Sequence, residues 1–472
     1  MSKSNAAGTN PVTVLEHCRI SPPHDLAITE NFLPLTFFDM LWLNWPAPGR
    51  VYFYDFPCST TEFKQTIVPN LKKSLASTLK HYYPFCGNLM TPTTLADSTT
   101  PVIRYSKGDS VSLTVAEFTG NTSEGFEYLS GKHAREVDKL FTLVPDLPRG
   151  SSDTDVTDSI HISPVLSLQV TLFPDSGYSV GFRISHVVAD GKTLSNFFRT
   201  WASINVKQLI GEDNCDNLDT LPFYDRSVIK DSKGIASIWL RDCLRMRNQK
   251  DYKKAFAPAA QKNELVEATL VLKREQIQGL KILVPAQLQR VSTFVVVCAY
   301  VWTCMAKTRA ALGQATNDEN QAEEEHLIFA MDARDRLDPP IPSNYFGNTI
   351  LPCWATLKTS QLVGEKGFAD AVEEIRNALY ERIKGPLKGL EMYFDRNEAT
   401  KGQTKFGVAG SPKLDYYGAD FGWGKPKKYE IVSEKFGLIG SKDFEGGLEL
   451  GFCFSKIEMD TFTANFTQGL SD

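Results

Sequence analysis

Residues 166–204 constrain the fold more than any other stretch, because two strand patterns and a helix pattern follow one another. Apolar residues recur at every second position on either side of the turn Pro-Asp-Ser-Gly, at Leu166, Leu168, Val170, Leu172, Val180, Phe182 and Ile184. The spacing then lengthens to three and four residues, at Leu194, Phe197, Phe198 and Trp201. Period two is typical of a strand, and the longer spacing is typical of a helix packed on a sheet. The sequence therefore predicts a β-hairpin followed by a helix, within an α/β fold.

The chain has 472 residues, more than one hydrophobic core usually organises. Its composition breaks over residues 211–264, where an acidic, turn-rich stretch passes into a basic one. A second long apolar segment, residues 291–305, predicts a buried helix in the later half. We expect a first α/β domain over residues 1–210, a solvated crossover over 211–264 and a second α/β domain over 265–472. Each domain should contain a mixed sheet flanked by helices.

The charge and the apolar runs exclude several classes of partner. The formal net charge is −5, which offers no overall positive field for a nucleic acid backbone. The first ten residues lack the apolar core of a signal peptide, and the longest apolar run, residues 294–302, is too short to cross a bilayer. The nine cysteines are scattered and never form Cys-x-x-Cys, which argues against a disulfide framework and a metal site. We expect a soluble cytoplasmic protein without nucleic acid, membrane or metal partners.

His186 continues the alternation of the second strand pattern beyond Ile184, so its imidazole points to the same face as the apolar residues. Asp190 follows four residues later, at the start of the predicted helix. A histidine at a strand end can accept a proton near neutral pH. The pattern also suits a structural histidine, with Asp190 as an N-terminal cap or as a charge that stabilises the helix dipole. These two residues alone leave both interpretations open.

Two further segments favour a catalytic histidine. SNYFGNTI occupies residues 343–350 and DFGWGKP residues 420–426. Together with HVVADG at 186–191, they resemble the signatures of the BAHD family of plant acyl-CoA-dependent acyltransferases. Those signatures are His-x-x-x-Asp, Tyr-Phe-Gly-Asn-Cys in one clade, and Asp-Phe-Gly-Trp-Gly, and the resemblance extends over nearly the whole chain. Thr349 stands where the clade usually has cysteine, which removes no nucleophile from the expected mechanism.

The resemblance implies two chloramphenicol-acetyltransferase-like domains with a solvent channel between them, entered by CoA from the face of the second domain and by the acceptor from the other. His186 would stand in this channel as the general base. Asp190 would point away from it and pair with Arg334 of the second domain, supporting the base without forming a triad. The acyl group would pass directly from acyl-CoA, a co-substrate and not a tightly bound cofactor, to a hydroxyl group. The chain contains no Gly-x-Ser-x-Gly nucleophile elbow, in agreement with a mechanism without an acyl-enzyme.

The remaining motif residues are expected to have supporting roles. The Asp-Phe-Gly-Trp-Gly segment is interpreted as structural, since its glycines suit a tight backbone path and its rings are apolar anchors. The resemblance places Ser292, Thr293 and Ser411 near CoA. The motif residues interpreted as structural are Tyr345, Phe346, Gly347, Asn348, Asp420, Phe421, Gly422, Trp423 and Gly424.

The Tyr-Phe-Gly-Asn segment implies an acceptor among anthocyanin, flavonoid and other phenolic glucosides, acylated on a sugar hydroxyl. Donors in this clade are malonyl-CoA or a hydroxycinnamoyl-CoA such as coumaroyl- or caffeoyl-CoA. The run from Asp190 to Thr193 is more similar to malonyl-transferring members, and Lys192 would offer a cation to the malonyl carboxylate, so malonyl-CoA is favoured. A monomer suffices for this chemistry. The competing hypothesis is a non-catalytic CoA-binding relative, and the presence of His186, Asp190 and Arg334 speaks against it.

Overall fold

A computed structural model describes residues 10–93, 100–121, 124–148, 160–212, 221–247, 265–288, 290–314 and 323–470. The strands in these residues are β1 Val12–Ile20, β2 Glu30–Pro34, β3 Gly49–Tyr54, β4 Asn88–Pro92, β5 Val102–Ser106, β6 Val111–Phe118, β7 Arg135–Glu136, β8 Ile160–Pro164, β9 Leu166–Phe173, β10 Gly177–Ile184, β11 Leu265–Leu272, β12 Glu324–Asp332, β13 Ile350–Lys358, β14 Thr404–Gly407, β15 Lys428–Val432, β16 Gly437–Gly440 and β17 Leu448–Ser455.

The α-helices of the same residues are α1 Phe37–Met40, α2 Thr60–Glu62, α3 Val68–His81, α4 Phe126–Leu129, α5 Val137–Phe141, α6 Gly191–Leu209, α7 Ile235–Arg247, α8 Arg274–Ile282, α9 Thr293–Ala311, α10 Thr359–Val363, α11 Gly367–Lys384, α12 Tyr393–Ala399 and α13 Lys456–Gln468. Short 3₁₀ turns lie at Tyr83–Cys86, Arg226–Val228, Ala286–Leu288, Arg334–Arg336 and Leu390–Met392, and a π-helical turn lies at Phe63–Ile67.

The strands form four sheets, in the orders β1-β6-β9-β10-β3-β15, β2-β5-β4-β8, β16-β17-β11-β7 and β13-β12-β14. Two pairs, β6 with β9 and β12 with β14, run parallel, so the first and last of these sheets are mixed. Strands cross between the halves of the chain, because β15 pairs with β3 and β7 pairs with β11. Two sheets therefore contain strands from both sides of the predicted boundary at residue 265, which divides the sequence but not the sheets.

Buried charges connect the two crossing strands. Arg135 Nη1 lies 2.9 Å from Glu430 Oε2, and Lys428 Nζ lies 3.5 Å from Glu449 Oε2. Burial and the neighbouring Glu430 carboxylate raise the pKa of Glu267 well above its usual value. A protonated Glu267 reduces the repulsion among three buried carboxylates, since the neutral acid avoids the cost of a further buried charge. The Arg135–Glu430 pair therefore joins β7 of the first half to β15 of the second, and the Lys428–Glu449 pair joins β15 to β17.

The predicted hairpin is confirmed. β9 and β10 pair antiparallel with Val170 opposite Val180, and the turn between them holds Asp175 at φ +57°. The predicted helix is α6, which packs on one face of this sheet with the ring centroids of Phe182 and Phe198 4.4 Å apart. α4 and α5 cover the other face. Because helices cover both faces, every residue of β9 is buried.

The second predicted helix is α9, which begins at Thr293 and is buried along most of its length. Ser292 caps it, accepting a hydrogen bond from Val295 N to Oγ at 3.3 Å. Among the described residues it is the one helix long and apolar enough to cross a bilayer, and 72% of that apolar window is buried inside the fold. α9 is therefore a core helix of the second half of the chain.

The described part of the crossover expected over residues 211–264 includes an exposed or half-buried stretch at 221–234 and the helix α7, which has a buried face. In α7, Ile235, Trp239 and Cys243 recur at four-residue spacing and are almost fully buried. Trp239 packs edge-on against Phe37 of α1, with 6.2 Å between ring centroids. Arg241 and Arg245 lie on the exposed face of this amphipathic helix. Residues 213–220 and 248–264 lie outside the described part.

Candidate active site

Three chain segments meet at the imidazole of His186. His186 follows β10, Asn348 precedes β13 and Trp42 follows α1. Asn348 and His186 contact through side chains, with 3.2 Å between Asn348 Oδ1 and His186 Nδ1. The first and the last of the four sheets thus present their strand ends to one another, and the histidine lies at this junction.

The Asn348 amide fixes which nitrogen of His186 carries the proton. Asn348 Nδ2 donates to the His186 carbonyl at 2.9 Å, to the Val187 carbonyl at 3.1 Å and to Asp39 Oδ1 at 3.0 Å. All three partners are acceptors, so the amide nitrogen must face them and Oδ1 must face the imidazole. Nδ1 therefore donates its proton to Oδ1, and the lone pair of the neutral ring is on Nε2. Nε2 is the atom able to accept a proton from a substrate.

His186 is held in the neutral form. Burial lowers the pKa of its imidazole to about 4, whereas hydrogen bonds with its own backbone carbonyl and with Asn348 act in the opposite direction. Because the pKa lies well below neutrality, the ring is unprotonated at physiological pH. A neutral imidazole with a free Nε2 has the state that a general base requires.

The Asp190 carboxylate has two structural partners. Asp190 caps α6, since its Oδ1 accepts a hydrogen bond from Thr193 N at 3.0 Å. The same carboxylate pairs with Arg334, with 2.9 Å between Oδ2 and Nη1 and 3.2 Å between Oδ1 and Nη2. Both side chains are 1% exposed. Although burial raises it, the Arg334 guanidinium holds the pKa of Asp190 below its usual value. The cap and the ion pair, considered separately in the sequence, coexist.

Thr349, at the position where the clade usually has cysteine, also contacts this carboxylate. Its backbone N and its hydroxyl donate to Asp190 Oδ2 at 3.2 and 3.4 Å. The Asp190 backbone N donates in turn to the Gly347 carbonyl at 3.3 Å. Asp190 therefore ties the start of α6 to the segment that carries Asn348. In the described part of the chain, no hydrogen bond joins the Asp190 carboxylate to the imidazole.

Asp39, which no sequence pattern marked as a site residue, supports Asn348 from the first half of the chain. Asp39 is fully buried, and its Oδ1 accepts from Asn348 N at 3.1 Å and from Asn348 Nδ2 at 3.0 Å. Its Oδ2 accepts from Thr36 N at 2.9 Å and lies 3.7 Å from Arg226 Nη1. The spacing from Thr36 to Asp39 is that of a capping box, which could have predicted the turn α1. Nothing in that spacing indicates a contact with residue 348.

Trp42 is the other site residue that no sequence pattern marked. Its indole is stacked on the imidazole of His186, with 3.7 Å between ring centroids and 13° between planes. Trp45 packs edge-on against the same indole at 5.8 Å and is 55% exposed. The only signal in the sequence was a tryptophan-rich segment close to α1.

The Tyr-Phe-Gly-Asn segment is anchored by its first three residues. Arg226 donates a hydrogen bond to the Tyr345 hydroxyl and another to the Phe346 carbonyl. Phe346 packs on Phe85 at 5.2 Å between centroids. Gly347 has φ +132°, and a side chain there would collide with Arg226. These contacts hold the backbone that presents Asn348 to His186.

The Asp-Phe-Gly-Trp-Gly segment forms a tight turn on α6. Asp420 Oδ1 accepts from Gly422 N at 2.8 Å and from Gly424 N at 3.0 Å, and both glycines have positive φ. Phe421 is fully buried and packs edge-on against Trp201, and the Trp423 ring lies 6.1 Å from that of Phe56. The contacts of this segment are structural, and it does not contact His186 in the described residues.

The residues expected near CoA are separated from the imidazole in the chain and lie on other elements. Ser292 caps α9 and Thr293 begins it. A surface cavity of about 470 Å³ adjoins this helix start, and Lys281 and Arg290 contribute to its lining. Ser411 Oγ accepts from Lys413 N at 3.3 Å. Lys192 is the second residue of α6, partly exposed. The described residues include no group of three or more His, Cys, Asp or Glu arranged to hold a metal ion.

A family model described as the Transferase family matches residues 10–468. This chain belongs to that family. The membership confirms the prediction of an acyl-CoA-dependent acyltransferase. The chain is 39% identical to phenolic glucoside malonyltransferase 1 of Nicotiana tabacum, over 97% of this chain and 99% of that protein. It is 36% identical to malonyl-coenzyme A:anthocyanin 3-O-glucoside-6''-O-malonyltransferase of Dahlia pinnata, over 97% of both.

Other relatives use a different donor. The chain is 35% identical to coumaroyl-CoA:anthocyanidin 3-O-glucoside-6''-O-coumaroyltransferase 2 of Arabidopsis thaliana, over 98% of this chain and 99% of that protein. Among solved structures, vinorine synthase superposes with a TM-score of 0.65 at 19% identity, over 95% and 96% of the two chains. F. sporotrichioides TRI101 complexed with coenzyme A and T-2 superposes with a TM-score of 0.63 at 15% identity, over 93% and 98%. The structural likenesses confirm the predicted fold class.

Asp190→Ala should destabilise the protein strongly, because it leaves the buried Arg334 guanidinium without its carboxylate and removes the cap of α6. We expect a loss of about 3–5 kcal/mol in the free energy of unfolding, measured by denaturant titration. Asp332→Asn is the matched control, since Asp332 contacts the same guanidinium at 3.2 Å and is 41% exposed. It should cost less than about 1 kcal/mol. Equal losses in the two variants would contradict the role given to Asp190.

Asn348→Ala should lower turnover, because Nδ1 of His186 loses the acceptor that fixes its tautomer. A hydrogen bond of about 1–1.5 kcal/mol corresponds to a roughly tenfold fall in kcat, with the Michaelis constant for the acyl donor nearly unchanged. Asn344→Ala is the control in the same loop, since Asn344 Nδ2 donates to the Leu221 carbonyl, away from His186. If the two variants show the same kcat, Asn348 does not orient the base.

Proposed function

We propose that this enzyme transfers a malonyl group from malonyl-CoA to a sugar hydroxyl of an anthocyanin, flavonoid or other phenolic glucoside. The observation that carries the chemistry is the neutral His186 with a fixed tautomer and a free Nε2. The relatives named as malonyltransferases of anthocyanin and phenolic glucosides support the donor and the acceptor class. A non-catalytic CoA-binding protein would gain nothing from a network that orients a base.

The proposed reaction is direct transfer. His186 Nε2 takes the proton of the sugar hydroxyl while the hydroxyl oxygen forms a bond to the thioester carbonyl carbon. The electron pair of the carbonyl double bond moves to the carbonyl oxygen, giving a tetrahedral oxyanion. When that pair returns, the carbon–sulfur bond breaks and the CoA sulfur takes the proton from the imidazolium. Removal of the proton during attack is what makes a weakly acidic hydroxyl reactive at neutral pH.

CoA is proposed to bind on the side of α9. The cavity near the start of this helix is lined by the cations Lys281 and Arg290, which suit the phosphates of CoA. Ser292 and Thr293 adjoin it, and Ser411 is proposed to lie along the path of the pantetheine arm. The predicted channel between the two halves would carry the thioester to His186. We further propose that the enzyme acts as a monomer, since a single chain supplies His186 and the Asn348 and Asp39 network that orients it, and that it acts in the cytoplasm.

Hydroxycinnamoyl-CoA is the second candidate donor, and the relatives named as coumaroyltransferases of anthocyanidin glucosides favour it. The two donors differ at the end far from the thioester, where malonyl carries a carboxylate and coumaroyl an aromatic ring. Lys192, on the first turn of α6, is the cation proposed to meet the carboxylate. Its proximity to His186 in the sequence motivates this assignment.

His186→Ala tests the proposed chemistry. Turnover of malonyl-CoA with a panel of phenolic glucosides should fall by about two to four orders of magnitude, while CoA affinity stays nearly intact. His133→Ala is the control, since His133 is exposed and packs on Tyr128. Activity of His186→Ala within tenfold of the parent would show that another group is the base.

Lys192→Met tests the donor. Loss of a charge-assisted contact of about 1.5–3 kcal/mol should raise the Michaelis constant for malonyl-CoA by one to two orders of magnitude. Acetyl-CoA, which lacks the carboxylate, should be affected far less. Equal effects on the two donors would leave Lys192 without a donor role. Efficient transfer from coumaroyl-CoA, with none from malonyl-CoA, would replace the donor and keep the mechanism.

A further inference from the structure

This inference rests on the proposed reaction, in which His186 becomes positively charged while the hydroxyl attacks the thioester. When Nε2 takes the hydroxyl proton, the ring becomes an imidazolium inside the protein. Its polar partners are neutral, namely Asn348 Oδ1 and its own backbone carbonyl. An imidazolium without a charged partner is costly in a buried site. Another group must lower the energy of this state.

The charged groups around the ring give little direct help. The Asp190 carboxylate, at the start of α6, favours the imidazolium, but it is engaged by Arg334. Arg50, on β3, carries a positive charge that disfavours a second one on the imidazole. Asp39, on α1, reaches the ring only through the Asn348 amide. The face of the imidazole is contacted by the indole of Trp42, at 3.7 Å between centroids and nearly parallel.

We propose that Trp42 is a positioning residue for the general base: its π face holds the imidazole flat and stabilises the imidazolium that forms during acyl transfer. Indole is the aromatic ring that attracts a cation most strongly, and the attraction increases when the pair is removed from water. A cation within 6 Å of the ring centroid is close enough for this effect. The stacking geometry of Trp42 and His186 is well inside that limit.

The polar end of the indole does not explain its position. Trp42 Nε1 is buried and has no hydrogen-bond partner in the described residues, so no protein acceptor holds the ring through its N–H. The edge of the ring packs against Trp45 and the face against His186. Substitution can separate the role of the π face from that of the indole N–H. Phenylalanine keeps a π face and loses the N–H, whereas leucine fills space and has neither.

The test compares Trp42→Phe with Trp42→Leu at neutral pH. Trp42→Phe should retain kcat/KM within roughly threefold of the parent, and Trp42→Leu should lose roughly tenfold, mainly in kcat. Trp45→Leu is the matched control, since Trp45 is a neighbouring tryptophan that packs on Trp42 and makes no ring contact with His186 in the described residues. It should leave the pH profile of kcat/KM unmoved. Equal losses in the Phe and Leu variants would overturn the proposal and indicate a role for the indole N–H or for ring size alone.

The pH dependence gives a readout that simple packing would not move. The cation–π contact raises the pKa of His186, which burial still lowers to about 4 in the intact site. In Trp42→Leu, the acid limb of kcat/KM should therefore move to lower pH by roughly half to one unit. Selective ¹⁵N labelling of histidine measures the same shift without turnover. An unmoved His186 pKa in Trp42→Leu would refute the proposal even if the proposed donor or acceptor proved wrong.

A second measurement needs no acid pH. Replacement of all seven tryptophans by 5-fluorotryptophan weakens the π face and hardly changes the shape of the ring. Turnover should fall in the parent enzyme and should remain unchanged by fluorination in Trp42→Phe, which carries every other tryptophan. A similar fall in both proteins would locate the effect elsewhere and overturn the proposal.

Discussion

The ion pair between Asp190 and Arg334 is the interaction on which the arrangement of the site depends. A buried carboxylate and a buried guanidinium are each unfavourable alone, so each fixes the place of the other. Asp190 stands at the start of α6 and Arg334 directly after β12, so the pair joins elements distant in sequence. The same carboxylate accepts hydrogen bonds from Thr193 and Thr349. One side chain thereby sets the distance between the loop that carries His186 and the loop that carries Asn348.

The Asp190 carboxylate pairs with Arg334 and not with the imidazole. The side-chain partner of His186 Nδ1 is the neutral Asn348 amide. A carboxylate at Nδ1 would raise the pKa of the imidazole and keep a larger fraction protonated. The Asn348 amide instead fixes the tautomer without adding charge, and burial lowers the pKa to about 4. The base is available at any physiological pH. The imidazolium that forms during transfer then has little electrostatic stabilisation from the neighbouring groups. The Trp42 face against the ring is proposed to stabilise it.

The two halves of the chain are joined by more than this pair. β15 completes a sheet of the first half and β7 completes a sheet of the second, so neither half contains all of its own strands. The buried ions of Arg135, Lys428 and Glu430 lie on these crossing strands, and Lys428 also contacts Glu449 on β17. Breaking the contact between the halves would expose strand edges and unpaired charges together. The position of the site between the halves is therefore secured by the fold as a whole.

The sequence by itself determined the local elements and predicted His186 as the base. The hairpin, α6 and α9 follow from apolar spacing, and His186, Asp190 and Arg334 follow from motifs written in short stretches. The family resemblance implied the Asp190–Arg334 pair, and the tertiary structure alone decided the other contacts of these residues. The composition of residues 211–264 suggested a solvated crossover, although the spacing of Ile235, Trp239 and Cys243 shows a buried helix once their partner α1 is known. Asp39 and Asn348 are 309 residues apart in the chain, and hydrogen bonds and ring stacking between such distant positions leave no periodic trace in a single sequence. Local propensity is encoded in neighbours along the chain, whereas the tautomer of His186 and the ring against its face depend on which distant segments pack together.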